Sequence, residues 1–229
     1  EQTGAAQFMC NINAQRANYD SAVLEPYWKG YDPEAGDGQP FLAGLKPDER
    51  PAYRRLCGNM LALHQEGVDY AARVIRRCRR HGVSPWISLR MNDVHDNDRV
   101  DHPSHSTFWR TNAAYWRVPD RQIGYFDRAL DYSQKAVRDL YLALVQEALD
   151  RYDSDGLELD FMRAPFLFRP GHEGEGGKLL TEWLGEVRRR TAAAGRQRGR
   201  PVRLAVRVPA NPLTACRLGL DAALWAQQG

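Results

Sequence analysis

Residues 155–163 read DGLELDFMR, a short apolar run with carboxylates at Glu158 and Asp160. Side chains alternate faces along a strand, so two residues that are two positions apart point the same way. A lone buried charge is costly, so a pair of carboxylates within an apolar strand needs an explanation. The stretch predicts a strand that forms one wall of an active site, with a structural ion pair as the alternative interpretation.

Length and composition are those of an ordinary globular protein. The 229 residues are 43% hydrophobic and 27% charged, which suits one large domain or two small ones. No apolar run is long enough to span a membrane, so we expect no membrane span. The sequence starts at Glu1 without a methionine, and we expect it to be a single barrel domain, residues 1–229, truncated at one or both ends.

Charge and cysteine usage exclude some partners and leave others open. The net charge is only +3, and the arginine runs fall on predicted helices without a nucleic-acid-binding motif, so we expect no nucleic-acid partner. The four cysteines form no CxxC pair and have no zinc-ligand spacing. We therefore predict no metal and no cofactor, and the redox compartment and the oligomeric state stay open.

Short β-like runs alternate with long helical ones. The predicted strands are 7–13, 84–92, 156–163 and 202–208, and the predicted helices are 59–81, 133–152, 178–194 and a last one from Asn211 and Pro212 towards the terminus. Strands separated by helices of this length indicate parallel βαβ units.

The loops distinguish two parallel folds. Loops after the strands are long and polar or aromatic, whereas those before the strands are short, as is typical of a (β/α) barrel of the TIM type. A doubly wound sheet is the alternative, but the first strand is not followed by a glycine-rich turn. Only four strands are convincing where a barrel needs eight, so we predict an incomplete α/β barrel, unless a further strand lies within 14–58.

Polar residues share one face of all four predicted strands. In a barrel that interior face is normally filled with branched apolar side chains, so polar replacements towards the carboxyl ends indicate a site. The residues expected to converge there are Asn11, Asn13, Arg90, Asn92, Glu158, Asp160 and Arg207.

Within this set, Asp160 lies nearest the strand end and is the preferred catalytic residue. Glu158 lies one layer deeper, where we expect it to pair with Arg90 or Arg207 and to support catalysis. The asparagine amides supply donors and acceptors that suit hydroxyl groups. The residues predicted to bind substrate are Asn11, Asn13, Arg90, Asn92, Asp93, His95, Arg163, Arg207, Trp109 and Trp116.

The loop after the second strand adds carboxylates, an imidazole and aromatic rings. Neither EF-hand nor HExxH spacing is present, so we favour a substrate or loop contact over metal ligation for His95. Trp109, Tyr115 and Trp116 form either loop packing or a platform for the apolar face of a sugar, with no preference between the two.

The segments 86–93 (WISLRMND) and 152–161 (YDSDGLELDF), with 130–133 and 137–139 ahead of the latter, resemble the bacterial glycoside-hydrolase-like (β/α)8 barrel proteins known as family 10-like glycosyl hydrolases. The resemblance covers about residues 59–210. It implies a carbohydrate substrate, a location outside the cytoplasm, Asp160 as a catalytic carboxylate, and Arg90, Asn92 and Asp93 at the rim.

A glycosidase needs a second carboxylate, about 5–5.5 Å away for retention and about 6.5–9.5 Å away for inversion. Glu158, Asp93 and Asp96 are the candidates, and the partner can also lie beyond Gly229. Two alternatives to a glycoside hydrolase stay open. One is a non-catalytic carbohydrate-binding barrel, and the other is a hydrolase using a metal held by Asp93, His95 and Asp160.

Overall fold

The computed structural model describes residues 4–228, which fold as alternating strands and helices. The four strands are β1 (Gln7–Asn11), β2 (Ser84–Arg90), β3 (Gly156–Asp160) and β4 (Arg203–Arg207). The α-helices are α1 (Arg50–Gln65), α2 (Tyr70–Arg80), α3 (Thr107–Thr111), α4 (Lys135–Arg151), α5 (Glu173–Arg198), α6 (Pro212–Arg217) and α7 (Ala222–Gln227). Single 3-10 turns lie at Pro40–Leu42 and Ala113–Tyr115.

The strands form one parallel sheet in the order β1-β2-β3-β4, which confirms the predicted parallel α/β class. This consecutive order is that of successive βα units in a barrel, whereas a doubly wound sheet reverses its order at the switch point. Within residues 4–228 the sheet is open, with β1 and β4 at its edges. Residues 14–58 add no further strand, only isolated bridges such as the one between Ala17 and Pro26.

One face of the sheet is apolar and packs under the helices. Right-handed crossovers between neighbouring parallel strands place their helices on the same face. The core joins strand residues to apolar residues of α2, α4 and α5. These strand residues are Cys10, Ile87, Leu89, Leu157 and Leu159, and the helix residues include Ile75, Tyr141, Leu144, Leu180, Trp183 and Val187. We call the opposite side, which carries the polar residues, the open face.

The amino end of the open face is closed by an aromatic ring. Trp86 pairs with Gly156 across the β2–β3 ladder, and its indole covers the glycine. A Cβ atom on Gly156 would lie 2.3 Å from the Trp86 ring, so only glycine fits beneath it. Trp86 is buried, and its indole N–H donates to the Ser84 hydroxyl at 3.2 Å.

Two predicted helices are each divided in the structure; in addition, α1 begins at Arg50, before its predicted start, and α3 lies in the loop after β2. The helix predicted over 59–81 is wrong, because α1 and α2 are separate helices. Gly67 has a φ of 68°, and the Asp69 carboxylate caps α2 by accepting the Ala72 N–H at 3.0 Å. The last predicted helix is also divided, into α6 and α7, by a turn at Gly219 with a φ of 79°. No helix among residues 4–228 is long and apolar enough to cross a membrane.

Candidate functional site

The carboxyl ends of β2, β3 and β4 bring three charged residues into one row. Arg90, Asp160 and Arg207 are register partners on neighbouring strands. The Asp160 carboxylate is buried; one oxygen accepts the Met162 N–H at 2.8 Å and the other accepts Nη1 of Arg207 at 3.1 Å. The structure thus brings together three of the seven residues that were expected to converge, and their roles stay predictions. With Asp93, His95, Glu158 and Arg163, described below, they form what we call the mouth.

Glu158 lies one step deeper on the same face, as predicted, but its partners differ from prediction. Its register neighbours are Ser88 and Ala205, neither of which is charged. Arg90 instead pairs with Asp93, and Arg207 pairs with Asp160. The predicted ion pair between Glu158 and either arginine is therefore wrong, because both guanidinium groups reach carboxylates nearer the strand ends. Among the described residues, Glu158 has no salt bridge.

Asp93 is the buried centre of a second charged group. One carboxylate oxygen accepts both the backbone N–H of His95 at 3.1 Å and its Nδ1 at 2.6 Å, and the other accepts Nη1 of Arg90 at 3.2 Å. Burial acts to raise the pKa of Asp93, but the bonds and charges of His95 and Arg90 outweigh it and lower the pKa below its ordinary value. Asp93 therefore serves as a fixed anion that orients His95 and Arg90.

His95 presents its other nitrogen to the open side of the mouth. Its ring is half exposed, and Nη2 of Arg163 lies 3.0 Å from Nε2. The bond to Asp93 raises the pKa of His95 above its ordinary value, against the effects of burial and of the charges of Arg163 and Arg90. Side-chain contacts from Asp93 to His95 and from His95 to Arg163 thus connect the loops that follow β2 and β3.

The three predicted asparagines make backbone bonds. The Asn13 amide is buried, accepts the Arg90 N–H and donates to the Arg90 carbonyl, both at 3.0 Å, and so continues the β1–β2 ladder. Asn92 is buried and makes the same pair of bonds with Leu130, which fixes the loop before α4. Asn11 is half-buried and donates to the Ser88 carbonyl at 3.2 Å. These amides position the strand ends, and their contact with substrate stays a prediction.

The predicted aromatic platform is folded into the loop. Trp109 is 1% exposed and donates its indole N–H to the Arg128 carbonyl. Trp116 is buried, its ring centroid lies 4.7 Å from that of Trp109, and its indole N–H donates to the Trp109 carbonyl. This is the loop-packing alternative, and stacking of either ring on a sugar stays a prediction.

The remaining histidines of this loop are buried supports. The ring of His105 packs at a tilt against that of Trp109, with centroids 4.1 Å apart, and its Nε2 hydrogen-bonds to the His95 carbonyl. Burial lowers the pKa of His102 to about 4. Within residues 4–228 no three His, Cys, Asp or Glu side chains come together as metal ligands, so Asp93, His95 and Asp160 do not form such a group.

Comparison with known proteins gives distant matches. No protein-family model and no curated protein matches this chain. Among solved structures it is similar to alpha-L-fucosidase isoenzyme 2 from Paenibacillus thiaminolyticus, with 16% identity and a TM-score of 0.49, over 87% of this chain and 27% of that chain. It is also similar to the galactosidase domain of alpha-galactosidase-sucrose kinase, with 15% identity and a TM-score of 0.39, over 68% of this chain and 20% of that chain.

The chain thus spans less than a third of either solved structure. Because both TM-scores are low, the proposals below rest on the geometry of the mouth.

Proposed function

We propose that this protein hydrolyses glycosidic bonds, with Asp160 as a catalytic carboxylate, and that β1 to β4 are four of the eight strands of a (β/α) barrel. The observation that carries the proposal is the row Arg90–Asp160–Arg207 at the carboxyl ends of three adjacent parallel strands. Catalytic groups of such barrels stand at the carboxyl ends of the strands, where the βα loops surround them.

Glu158 is the proposed second carboxylate. It shares the open face of β3 with Asp160, and residues two apart on a strand are separated by about 6.5 Å along it. Parallel side chains on that face would hold their carboxyl groups a similar distance apart, at the lower end of the separation of about 6.5–9.5 Å that leaves room for a water molecule in inverting glycosidases. Asp93 is buried between Arg90 and His95, and Asp96 is bound by Arg99, so each already has a structural partner.

The proposal is tested with a panel of chromogenic aryl glycosides. The wild-type protein should hydrolyse at least one of them, and Asp160→Asn should lower kcat/KM by about 10²- to 10⁴-fold. Arg77→Gln, an exposed substitution on α2, is the matched control and should leave the rate unchanged. An Asp160→Asn protein that is folded and as active as wild type would disprove the role of Asp160. Sugar binding without any turnover would favour a binding protein instead.

The leaving group separates the roles of the two carboxylates. If Glu158 protonates the departing oxygen, Glu158→Gln should slow alkyl glycosides strongly and spare dinitrophenyl glycosides, whose leaving group needs no proton. Asp160→Asn should slow both kinds of substrate. Equal losses on both substrates in Glu158→Gln would contradict a role as proton donor.

A further inference from the structure

The mouth contains three guanidinium groups and three carboxylates, and among the described residues Arg163 and Glu158 are the two of these that make no salt bridge. Arg90 has Asp93 as its partner and Arg207 has Asp160. Arg163 is exposed, lies three residues after Asp160 in the chain, and makes no salt bridge among the described residues. Its guanidinium group is therefore open to solvent beside His95 and has no carboxylate partner in the described part of the chain.

The contact that Arg163 does make is with a neutral acceptor. A guanidinium group can only donate hydrogen bonds, so its contact with Nε2 of His95 at 3.0 Å requires a lone pair on that nitrogen. The proton of the neutral ring then lies on Nδ1, which is where Asp93 accepts it at 2.6 Å. Protonation of His95 would place an Nε2–H beside Arg163, giving two donors that point at the same space.

Two cationic donors on one exposed space fit an anion. A planar guanidinium binds a carboxylate or a sulfate with two parallel hydrogen bonds, and an imidazolium N–H supplies a third. The site is built, because Asp93 fixes the ring of His95 from its buried side. It is also close to the proposed catalytic group, because the backbone N–H of Met162, the residue before Arg163, binds Asp160.

We propose that Arg163 and His95 bind an anionic group of the substrate, so that the substrate is an acidic saccharide carrying a carboxylate or a sulfate. This inference rests on the proposed function, because it names the substrate class of the same site. Among the described residues, the charges that act on His95 are Asp93, which favours its protonated form, and Arg163 and Arg90, which oppose it. An anion beside Arg163 removes part of that opposition, so affinity should rise as the pH falls through the pKa of His95.

The test compares three sugars at equal ionic strength: glucuronate, glucose 6-sulfate and glucose. Binding is followed by calorimetry and by the NMR signals of the His95 ring. Wild-type protein should bind at least one anionic sugar about tenfold or more tightly than glucose. The tighter of the two anions identifies whether carboxylate or sulfate is the natural group.

Two substitutions of Arg163 and one control complete the test. Arg163→Gln should abolish the preference for anions, and Arg163→Lys, which keeps the charge but loses the planar fork, should retain part of it. Arg77→Gln should bind like wild type, since α2 ends at the opposite, amino end of β2. Unchanged melting temperatures show that the variants are folded.

The outcomes also separate this inference from the proposed function. Equal affinity for the three sugars, or undetectable binding of all three, would overturn the inference, as would anion binding by Arg163→Gln at the wild-type level. Hydrolysis of neutral glycosides without a preference for anions would leave the function standing and refute the acidic substrate. Selective binding of an anionic sugar without any hydrolysis would support the anion site and refute the hydrolytic function.

Discussion

The two ends of the open face differ in what they contain, although they lie on the same strands and only four residues apart. At the amino end, Trp86 covers Gly156 and the contact is close-packed. At the carboxyl end, four residues further along β2 and β3, Arg90 and Asp160 are register partners and continue to Arg207 on β4. The amino end has no space for an added atom at Gly156. The carboxyl end carries charged side chains, among them the solvent-exposed Arg207.

This difference indicates that the two ends of the strands serve different purposes, one structural and one chemical. Close packing resists even one added methyl group, so the amino end is expected to determine stability. An ion pair with an exposed arginine such as Arg207 contributes little to stability, and charged groups at the carboxyl ends of parallel strands supply chemistry, so this end is expected to determine activity. A substitution at one end should therefore affect mainly the property that this end determines.

The largest expected loss of stability comes from Gly156→Ala. The new Cβ would lie 2.3 Å from the buried Trp86 ring, so the ring or the strand must move. We expect the free energy of unfolding to fall by about 1–3 kcal/mol, measured by chemical denaturation. Gly174→Ala is the control, because a Cβ at Gly174 in α5 meets no atom within 4 Å. It should be neutral or stabilising by up to about 1 kcal/mol. Equal effects would contradict close packing at the amino end.

Asp93→Asn should have a smaller, pH-dependent effect at the carboxyl end. Asp93 raises the pKa of His95, so their attraction stabilises the fold fully below the unfolded-state pKa of histidine and is lost as the pH rises through the raised value. The pKa of Asp93 itself is lowered, so its ionisation is complete throughout this window. Asp93→Asn should therefore cost more stability near about pH 5 than near about pH 9.

Two measurements check this prediction. NMR titration of the His95 ring should show a lower pKa in Asp93→Asn than in wild type. Denaturation at the two pH values should show the difference in unfolding free energy. A loss of stability that is the same at both pH values, with an unchanged pKa for His95, would show that Asp93 does not act on His95.

The smallest expected effect on stability is that of Asp160→Asn. The asparagine keeps an oxygen for the Met162 N–H and loses only the ion pair with Arg207, whose side chain is 57% exposed and can turn into solvent. The unfolding free energy should fall by less than about 1 kcal/mol. A loss as large as that of Gly156→Ala would mean that Asp160 is a structural residue.

Much of the fold can be predicted from sequence periodicity. Where that prediction is wrong, the cause is local. The four strands were predictable because alternating and apolar runs end in polar loops, as in residues 156–160. An isolated glycine is tolerated within a helical pattern, so Gly67 alone does not predict the division between α1 and α2. Closure into a barrel depends on contacts between distant strands, which periodicity does not encode.

Strand alternation predicts the site residues that lie on the strands, but not the contacts made by the loops. The row of Arg90, Asp160 and Arg207 follows from the register of neighbouring parallel strands. The pairing of Arg90 with Asp93 does not, because it depends on how the loop after β2 turns back. The contact between His95 and Arg163 joins residues 68 positions apart in two loops, and no local pattern signals it.

The most direct test of the division between the two ends measures activity and stability on the same two variants. On a glycoside that the wild-type protein hydrolyses, Asp160→Asn should lose about 10²- to 10⁴-fold in kcat/KM while keeping its unfolding free energy within about 1 kcal/mol of wild type. Gly156→Ala should lose stability while its folded fraction keeps the wild-type rate. Wild-type kcat/KM in folded Asp160→Asn would contradict the account.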